Sequence, residues 1–414
     1  MKRKLKKWEK ALCGIMTAVL LAAGGFMGIQ NFMPQERVLT IVEDASTVSE
    51  AVPVSGEEMK IKAKAAVLID GSSGKVIFAQ NERKHLPPAS VTKVMTLLLI
   101  MEGCQSGRIA LDDKVTISDR AAGMGGSQMY MEPGEQHSVE ELIKGVIMVS
   151  ANDGCVALAE HLSGSVESFV EAMNERASEL GLEDSNFVNT NGLPVADHYS
   201  CAYDIGMISK ELMKFEKAHA WFTAWQEDIK VGLPGNQHKF TLTNTNKLIR
   251  SYDGAIGVKT GFTQDAGYCL SGAAQRDSTR LIAVVLGCKT SDIRFDQMRK
   301  LLDYGFANYE TVEISQKGEA VKKIKIEKGD VRNIFAVASE DIGLTVKKGT
   351  ADQVRTKSII KEDMPSRISK GEKIGTLMIY EGKELTAEYD LVSDRDVKPA
   401  DLMTIYIRMM KNLI

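Results

Sequence analysis

Apolar positions change their arrangement several times along this chain, and each change marks an element. Residues 1–10 read MKRKLKKWEK and precede an unbroken apolar-to-small run from Ala11 to Ile29. A basic flank feeding such a run predicts an export signal or signal anchor over residues 1–30. From 31 to 60 the chain is acidic and lacks sustained periodicity, which predicts a flexible tether. Ala65 to Gln80 holds two apolar runs around a D-G-S-S-G cluster, the pattern of a hairpin. A helical section follows. Pro87 and Pro88 open an apolar helix that ends near Gly103, and Ser138 with Glu141 forms a capping box ahead of Val139, Leu142, Ile143, Val146 and Ile147 on one face. Two all-apolar runs, Gly267–Ala274 and Leu281–Leu286, flank the polar QRDSTR and read as strands.

Strands at both ends of this region with helices between them predict an α+β fold. The two ends share one antiparallel sheet, the middle forms a helical lobe, and a cleft lies between lobe and sheet. This unit is expected to run over 61–308. Beyond it, short alternating segments rich in Lys and Glu predict a small all-β domain over 309–398 with one face in water. The closing segment, 399–414, drawn as a helix, gathers Asp401, Thr404, Arg408 and Lys411 on one polar stripe against Leu402, Ile405, Tyr406, Met409, Met410 and Leu413. It is too short and too charged to span a bilayer, so it is expected to lie in a membrane interface.

Composition narrows the chemistry. With 52 Lys+Arg against 55 Asp+Glu there is no excess of positive charge to draw nucleic acid. The six cysteines contain no C-x-x-C pair and the six histidines no H-E-x-x-H pair, so neither metal nor other cofactor is expected, and buried free thiols are.

Three short motifs remain. Ser90-Val-Thr-Lys93 lies at the predicted helix start, where a lysine three residues on shares the serine's face and, kept neutral by burial, can take its proton. The same S-x-x-K spacing recurs at Ser72/Lys75 and Ser358/Lys361, read as solvated turns. Ser150-Ala151-Asn152 falls at a junction between two helices, where its hydroxyl and amide either point into a cleft or, with Asp153, simply cap the next helix. Lys259-Thr260-Gly261 on an edge strand offers a charge and a hydroxyl to an anionic substrate, with Gly261 allowing close approach of a ligand backbone; the bland alternative is a strand edge guarded by Lys. A glycine-rich loop, Gly123–Gly126, followed by Met129, Tyr130 and Met131, is a candidate cover for the cleft, or else a packed turn.

In this order the trio resembles that of the low-molecular-mass penicillin-binding proteins, the serine-type D-alanyl-D-alanine carboxypeptidases. The resemblance is carried also by PPASVTKVMT, by GGSQMYMEPGEQHSVEELIKGVIMVSANDGCVALAEHLSG, by NTNKLI before GVKTGFT, and by RLIAVVLGCKTSDIRF after it. It looks closest to the branch found in endospore-forming bacteria. The resemblance implies a β-lactamase/transpeptidase-like fold and removal of the C-terminal D-alanine from peptidoglycan stem peptides at the outer face of the cytoplasmic membrane. It implies Ser90 as the acylated nucleophile and target of β-lactams, Lys93 as its base, and Ser150 as proton donor to the leaving D-alanine. Substrate binding would fall to Asn152, Lys259, Thr260, Gly261, Phe262 and Arg294, the backbone N–H groups of Ser90 and Phe262 forming an oxyanion hole. For Arg294 a surface salt bridge is the alternative. A class A β-lactamase shares the trio but needs an E-x-x-L-N loop, and no such string lies between Asn152 and Lys259. A non-catalytic cell-wall binder is the other competing class.

Overall fold

The computed structural model describes residues 59–361, 364–401 and 403–404. The expected export segment and tether, up to residue 58, and the tail 405–414 lie outside the described residues.

The hairpin forms as β1 (Ala65–Asp70) and β2 (Val76–Gln80). After a 3-10 turn over Ala89–Thr92 comes α1 (Lys93–Gln105), then β3 (Lys114–Thr116), α2 (Asp119–Ala122) and β4 (Gln136–Ser138). The lobe continues through α3 (Val139–Met148), α4 (Asn152–Ser163), α5 (Val166–Glu179), α6 (Ala202–Leu212) and α7 (Glu216–Thr223). A hairpin that the hydrophobic pattern does not announce, β5 (Gln226–Val231) with β6 (His238–Thr243), precedes the short α8 (Leu248–Ser251). The chain then returns through β7 (Ala255–Thr263), β8 (Gly267–Arg276), β9 (Thr279–Cys288) and α9 (Ser291–Asn308).

As expected, both ends of the region share one sheet, ordered β2-β1-β9-β8-β7 and antiparallel throughout, with Val67 opposite Val284 and Lys259 opposite Ser271. Helices cover both faces, which is why β1 is buried at every position and reads as continuously apolar. On one face Gly206 of α6 lets the helix approach Val67, Ile69 and Val284; on the other Gly305 of α9 lies against Leu68 and Leu281. The helix α1 is apolar all round and sits inside the lobe, and the capping box at Ser138 holds the start of α3, with both reciprocal bonds formed. The polar QRDSTR is mostly strand, since β8 and β9 run on to a tight turn at Asp277-Ser278.

The second unit starts where α9 ends. It comprises β10 (Tyr309–Ser315), β11 (Ala320–Lys325), β12 (Asn333–Ala338), β13 (Ile342–Lys347), β14 (Val354–Ile360), β15 (Lys373–Glu381) and β16 (Glu384–Ser393). They make a five-stranded sheet, β11-β12-β16-β15-β14, and a β10-β13 pair, enclosing a separate core around Ile334, Leu344, Ile379 and Leu391. Its β pairing reaches Pro399, bridged to Gly329, with the Ala400 N–H on the Lys328 carbonyl.

The β1–β2 turn corrects one expectation. Rather than a solvated turn, it is the seat of the β domain. The buried Asp70 carboxylate accepts from the Ser72 and Ser73 N–H groups, the Ser73 hydroxyl, and Thr345 of β13 through both its hydroxyl (2.8 Å) and its N–H (3.3 Å). Lys75 pairs with Glu381 of β15. A carboxylate taken this far from water is tolerable only because so many donors face it.

Candidate active site

Ser90 lies inside the 3-10 turn that leads into α1, between Ala89 in a left-handed conformation (φ 51°) and Lys93 at the first residue of the helix. The one-turn spacing brings the Lys93 Nζ to 3.0 Å from the Ser90 Oγ. The other two contacts of the Lys93 Nζ are the Asn152 Oδ1 at 2.6 Å and the main-chain carbonyl of Asn191 at 3.0 Å. Lys93 is wholly buried, and loss of water lowers its pKa from the usual lysine value to about 8.

The second motif meets the first at Asn152. The bend at Ser150, which has φ 62°, turns the chain into α4, and Asn152 becomes that helix's first residue. Its amide N–H donates to the Gly125 carbonyl at 2.7 Å while its oxygen receives Lys93, so the side chain fixes Lys93 to the glycine loop. The cap reading fails on geometry, because the residue before α4 is Ala151 and no side chain caps it. Ser150 is buried and its hydroxyl has no partner among the described residues. Asp153 has a different task. Its carboxylate accepts the N–H groups of Met129, Tyr130 and Gly154, holding the loop in place, and burial raises its pKa in spite of them. Met129 and Met131 are buried, Met129 against Gly145, so they anchor the loop and do not cover the cleft; only Tyr130 is exposed, with its ring near Phe240.

The third motif lies on β7, an edge strand as expected. Lys259 is fully buried, and burial together with the nearby charges of Lys93 and Arg294 depresses its pKa well below the usual lysine value. The Thr260 hydroxyl meets that of Thr245 at 2.8 Å. At Gly261 the chain itself comes close. A Cβ there would come within 3.0 Å of the Val91 nitrogen and 3.1 Å of the Pro88 carbonyl, so glycine lets the strand press on the nucleophile turn itself. Phe262 is half exposed and stacks on Tyr268 with ring centroids 4.3 Å apart.

Arg294 is no surface ion pair. It is buried at 7% exposure, and its guanidinium donates to the carbonyls of Gly261 (3.2 Å) and Cys269 (3.3 Å), bracing β7 against β8, while its Nε has no partner among the described residues. Lys93 and Arg294 thus lie near enough to the buried Lys259 for their charges to act on it.

Four contributors escaped the sequence reading. The Asn191 carbonyl and Gly192 lie in the turn-forming N-T-N-G string, the Thr245 hydroxyl lies in the N-T-N string ahead of β7, and His198 lies beyond either string. The buried His198 accepts the Val188 N–H at its Nδ1 (3.0 Å), so its Nε2 carries the hydrogen and donates to the Thr92 Oγ1 (2.8 Å). Burial lowers its pKa to about 4, so this bond holds the loop to the S-x-x-K turn as a neutral imidazole. Gly192 has φ 83°, and a Cβ on it would lie 1.8 Å from the Ala89 carbonyl oxygen. Gly192→Ala is therefore expected to displace the turn and lower the second-order rate of penicillin acylation by about 10²-fold, the penalty of misplacing a nucleophile by roughly 1 Å. Unchanged acylation would show that the turn tolerates the shift.

A family model described as D-alanyl-D-alanine carboxypeptidase matches residues 49–290, and one described as the penicillin-binding protein 5 C-terminal domain matches 309–399. Over 354 residues the chain is 41% identical to the D-alanyl-D-alanine carboxypeptidase DacF of Bacillus subtilis, covering 85% of this chain and 90% of the relative. It is 33% identical to DacD of Salmonella typhimurium, over 83% of this chain and 89% of that one. Among solved structures it is similar to penicillin-binding protein 5 of Haemophilus influenzae, with a TM-score of 0.65 and 31% identity over 83% of this chain and all of that one. The Streptomyces K15 DD-transpeptidase, solved as a serine-to-alanine mutant, gives a TM-score of 0.57 at 29% identity, over 60% of this chain and all of that one.

Proposed function

The chain belongs to the D-alanyl-D-alanine carboxypeptidase family, and from that premise we propose the route by which its residues release D-alanine. It is a serine-type hydrolase that removes the terminal D-alanine of peptidoglycan stem peptides and is acylated by β-lactams. The observation that carries the route is the 3.0 Å contact between the Ser90 hydroxyl and a buried lysine of lowered pKa. In its neutral form Lys93 keeps two N–H groups on Asn152 and Asn191 and turns its lone pair to Ser90. The Ser90 Oγ then attacks the scissile carbonyl carbon as its proton passes to Lys93. The backbone N–H groups of Ser90 and Phe262 receive the oxyanion. Lys259 and Thr260, with Arg294 behind them, hold the terminal carboxylate, and Asn152 aligns the peptide. As the C–N bond breaks, Ser150 hands the proton to the leaving D-alanine nitrogen, and water then cleaves the ester on Ser90.

Residues 1–30, as an export segment, would place this site outside the cytoplasm, and 399–414 would return the protein to the membrane surface. Among the described residues no helix is long and apolar enough to cross a membrane. Intact-protein mass after mixing with a penicillin tests the route: a long-lived adduct is expected on the peptide that contains Ser90. An adduct mapped elsewhere overturns it.

A further inference from the structure

A cavity of 520 Å³ lies at the junction of the two units and shares no lining residue with the site described above. The catalytic unit supplies one wall through Met213, Lys214, Glu216 and the β8–β9 turn. The β domain supplies the other. Its strand β10 brings Thr311, Glu313 and Ser315 to the cavity, alternate positions of one strand, and the Thr311 N–H on the Thr279 Oγ1 (3.0 Å) sets that strand beside Arg280.

Arg280 is half-buried and fixed in place. Its Nε donates to the Gln275 Oε1 (3.0 Å) and its Nη1 to the Met213 carbonyl (3.3 Å), while its Nη2 makes no hydrogen bond among the described residues. No carboxylate forms an ion pair with it there; Glu216, Asp341 and Asp70 act on it only from further off, and burial lowers its pKa in spite of them. A cation drawn out of water without a paired counter-ion is costly, and a carboxylate bonded to its free edge offsets that cost. The rest of the lining has the opposite need. Lys214 is taken by Glu211 and Glu340, and Asp341 accepts the Lys317 N–H at 2.8 Å. Glu216, Asp277 and Glu313 are exposed, and their carboxylates have no hydrogen bond or ion pair among the described residues; the Lys317 ammonium is the other lining cation without an ion pair there. A simple anion would meet three carboxylates, a metal cation would meet the guanidinium, and a neutral sugar would leave both signs unpaired. A molecule that carries both a carboxylate and an ammonium group satisfies both. The volume suits a short peptide better than a single amino acid, and it falls within the roughly 300–1,000 Å³ of small-ligand sites.

We propose that this cavity binds a short zwitterionic peptide, its carboxylate on Arg280 and its ammonium group among Glu216, Asp277 and Glu313, as a second site for the shortened stem peptide that the reaction leaves. That the peptide is this chain's own product rests on the carboxypeptidase route; the charge pairing does not. The test is titration calorimetry of the full chain carrying a penicillin adduct on Ser90, so that the catalytic cleft is filled, with Nα-acetyl-L-lysyl-D-alanine as the probe. Saturable one-to-one binding is expected. Affinity falls about tenfold in Arg280→Gln, the span of one charge-assisted bond, and about threefold in Glu313→Gln or when the probe is acetylated at Nε. The unfolding temperature of each variant reads whether it is folded, and if Arg280→Gln is not, the exposed Glu313→Gln and the acetylated probe decide. No saturable binding up to about 10 mM probe, or binding that neither substitution nor acetylation weakens, overturns the site while the route stands. D-alanine binding as tightly as the dipeptide overturns the assignment to a peptide. A chain that penicillin does not acylate at Ser90 overturns the route, and the difference in affinity between the unmodified wild type and Arg280→Gln then still reads the cavity.

Discussion

Ser90→Ala is expected to abolish penicillin labelling and D-alanine release together, by about three orders of magnitude or more, whereas Ser72→Ala and Ser358→Ala leave both unchanged. The size follows from losing the atom that forms the covalent bond, which no neighbouring group replaces. The selectivity follows from secondary structure. Three residues along a helical turn return to the same face, and Lys93 accordingly reaches Ser90. Ser358 lies on β14, where a spacing of three puts Lys361 on the opposite face of the extended chain. Lys75 is taken by Glu381 across the junction with the β domain. Labelling that persists in Ser90→Ala, read by intact mass and peptide mapping, would reassign the nucleophile.

The acylation rate is expected to rise with pH and level off above about 8, the value to which burial lowers Lys93. The sign follows from the role. A base acts only when unprotonated, so below that pKa the competent fraction falls tenfold per pH unit, and at pH 7 roughly a tenth of the plateau rate remains. The measurement is the second-order rate constant for penicillin acylation between about pH 6 and 9.5. A flat profile would remove Lys93 from proton transfer. Lys93→Arg sharpens the test: a guanidinium keeps the charge but does not deprotonate in this range, so acylation should be lost across the whole profile.

Much of this molecule was legible before any coordinates, for a physical reason that differs by element. The β1–β2 hairpin and the α3 capping box rest on contacts between residues a few positions apart, and local spacing writes such contacts directly into the sequence. The shared sheet was legible because strands buried on both faces need apolar side chains at nearly every position, and short runs of that kind bounded by turn residues stand at the two ends of the region. The β5–β6 hairpin was not, because its strands are mostly exposed and carry polar side chains without an apolar run.

The site divides along the same line. The sequence by itself determined which residues are present: the serine and lysine of the first motif one turn apart, the Ser150 and Asn152 pair, and the Lys259-Thr260-Gly261 edge. Only the tertiary structure decided what state they are in. Lys93 loses its water because Asn152, 59 residues on, and the Asn191 carbonyl, 98 residues on, close over it, and no local pattern encodes that desolvation. Gly261 proved to be needed by the nucleophile turn and Arg294 to brace β7, since both depend on how closely distant segments approach. The chain's spacing places reactive groups side by side, and packing between remote segments sets their charge, because the dielectric around a group belongs to the whole fold and not to its neighbours in sequence.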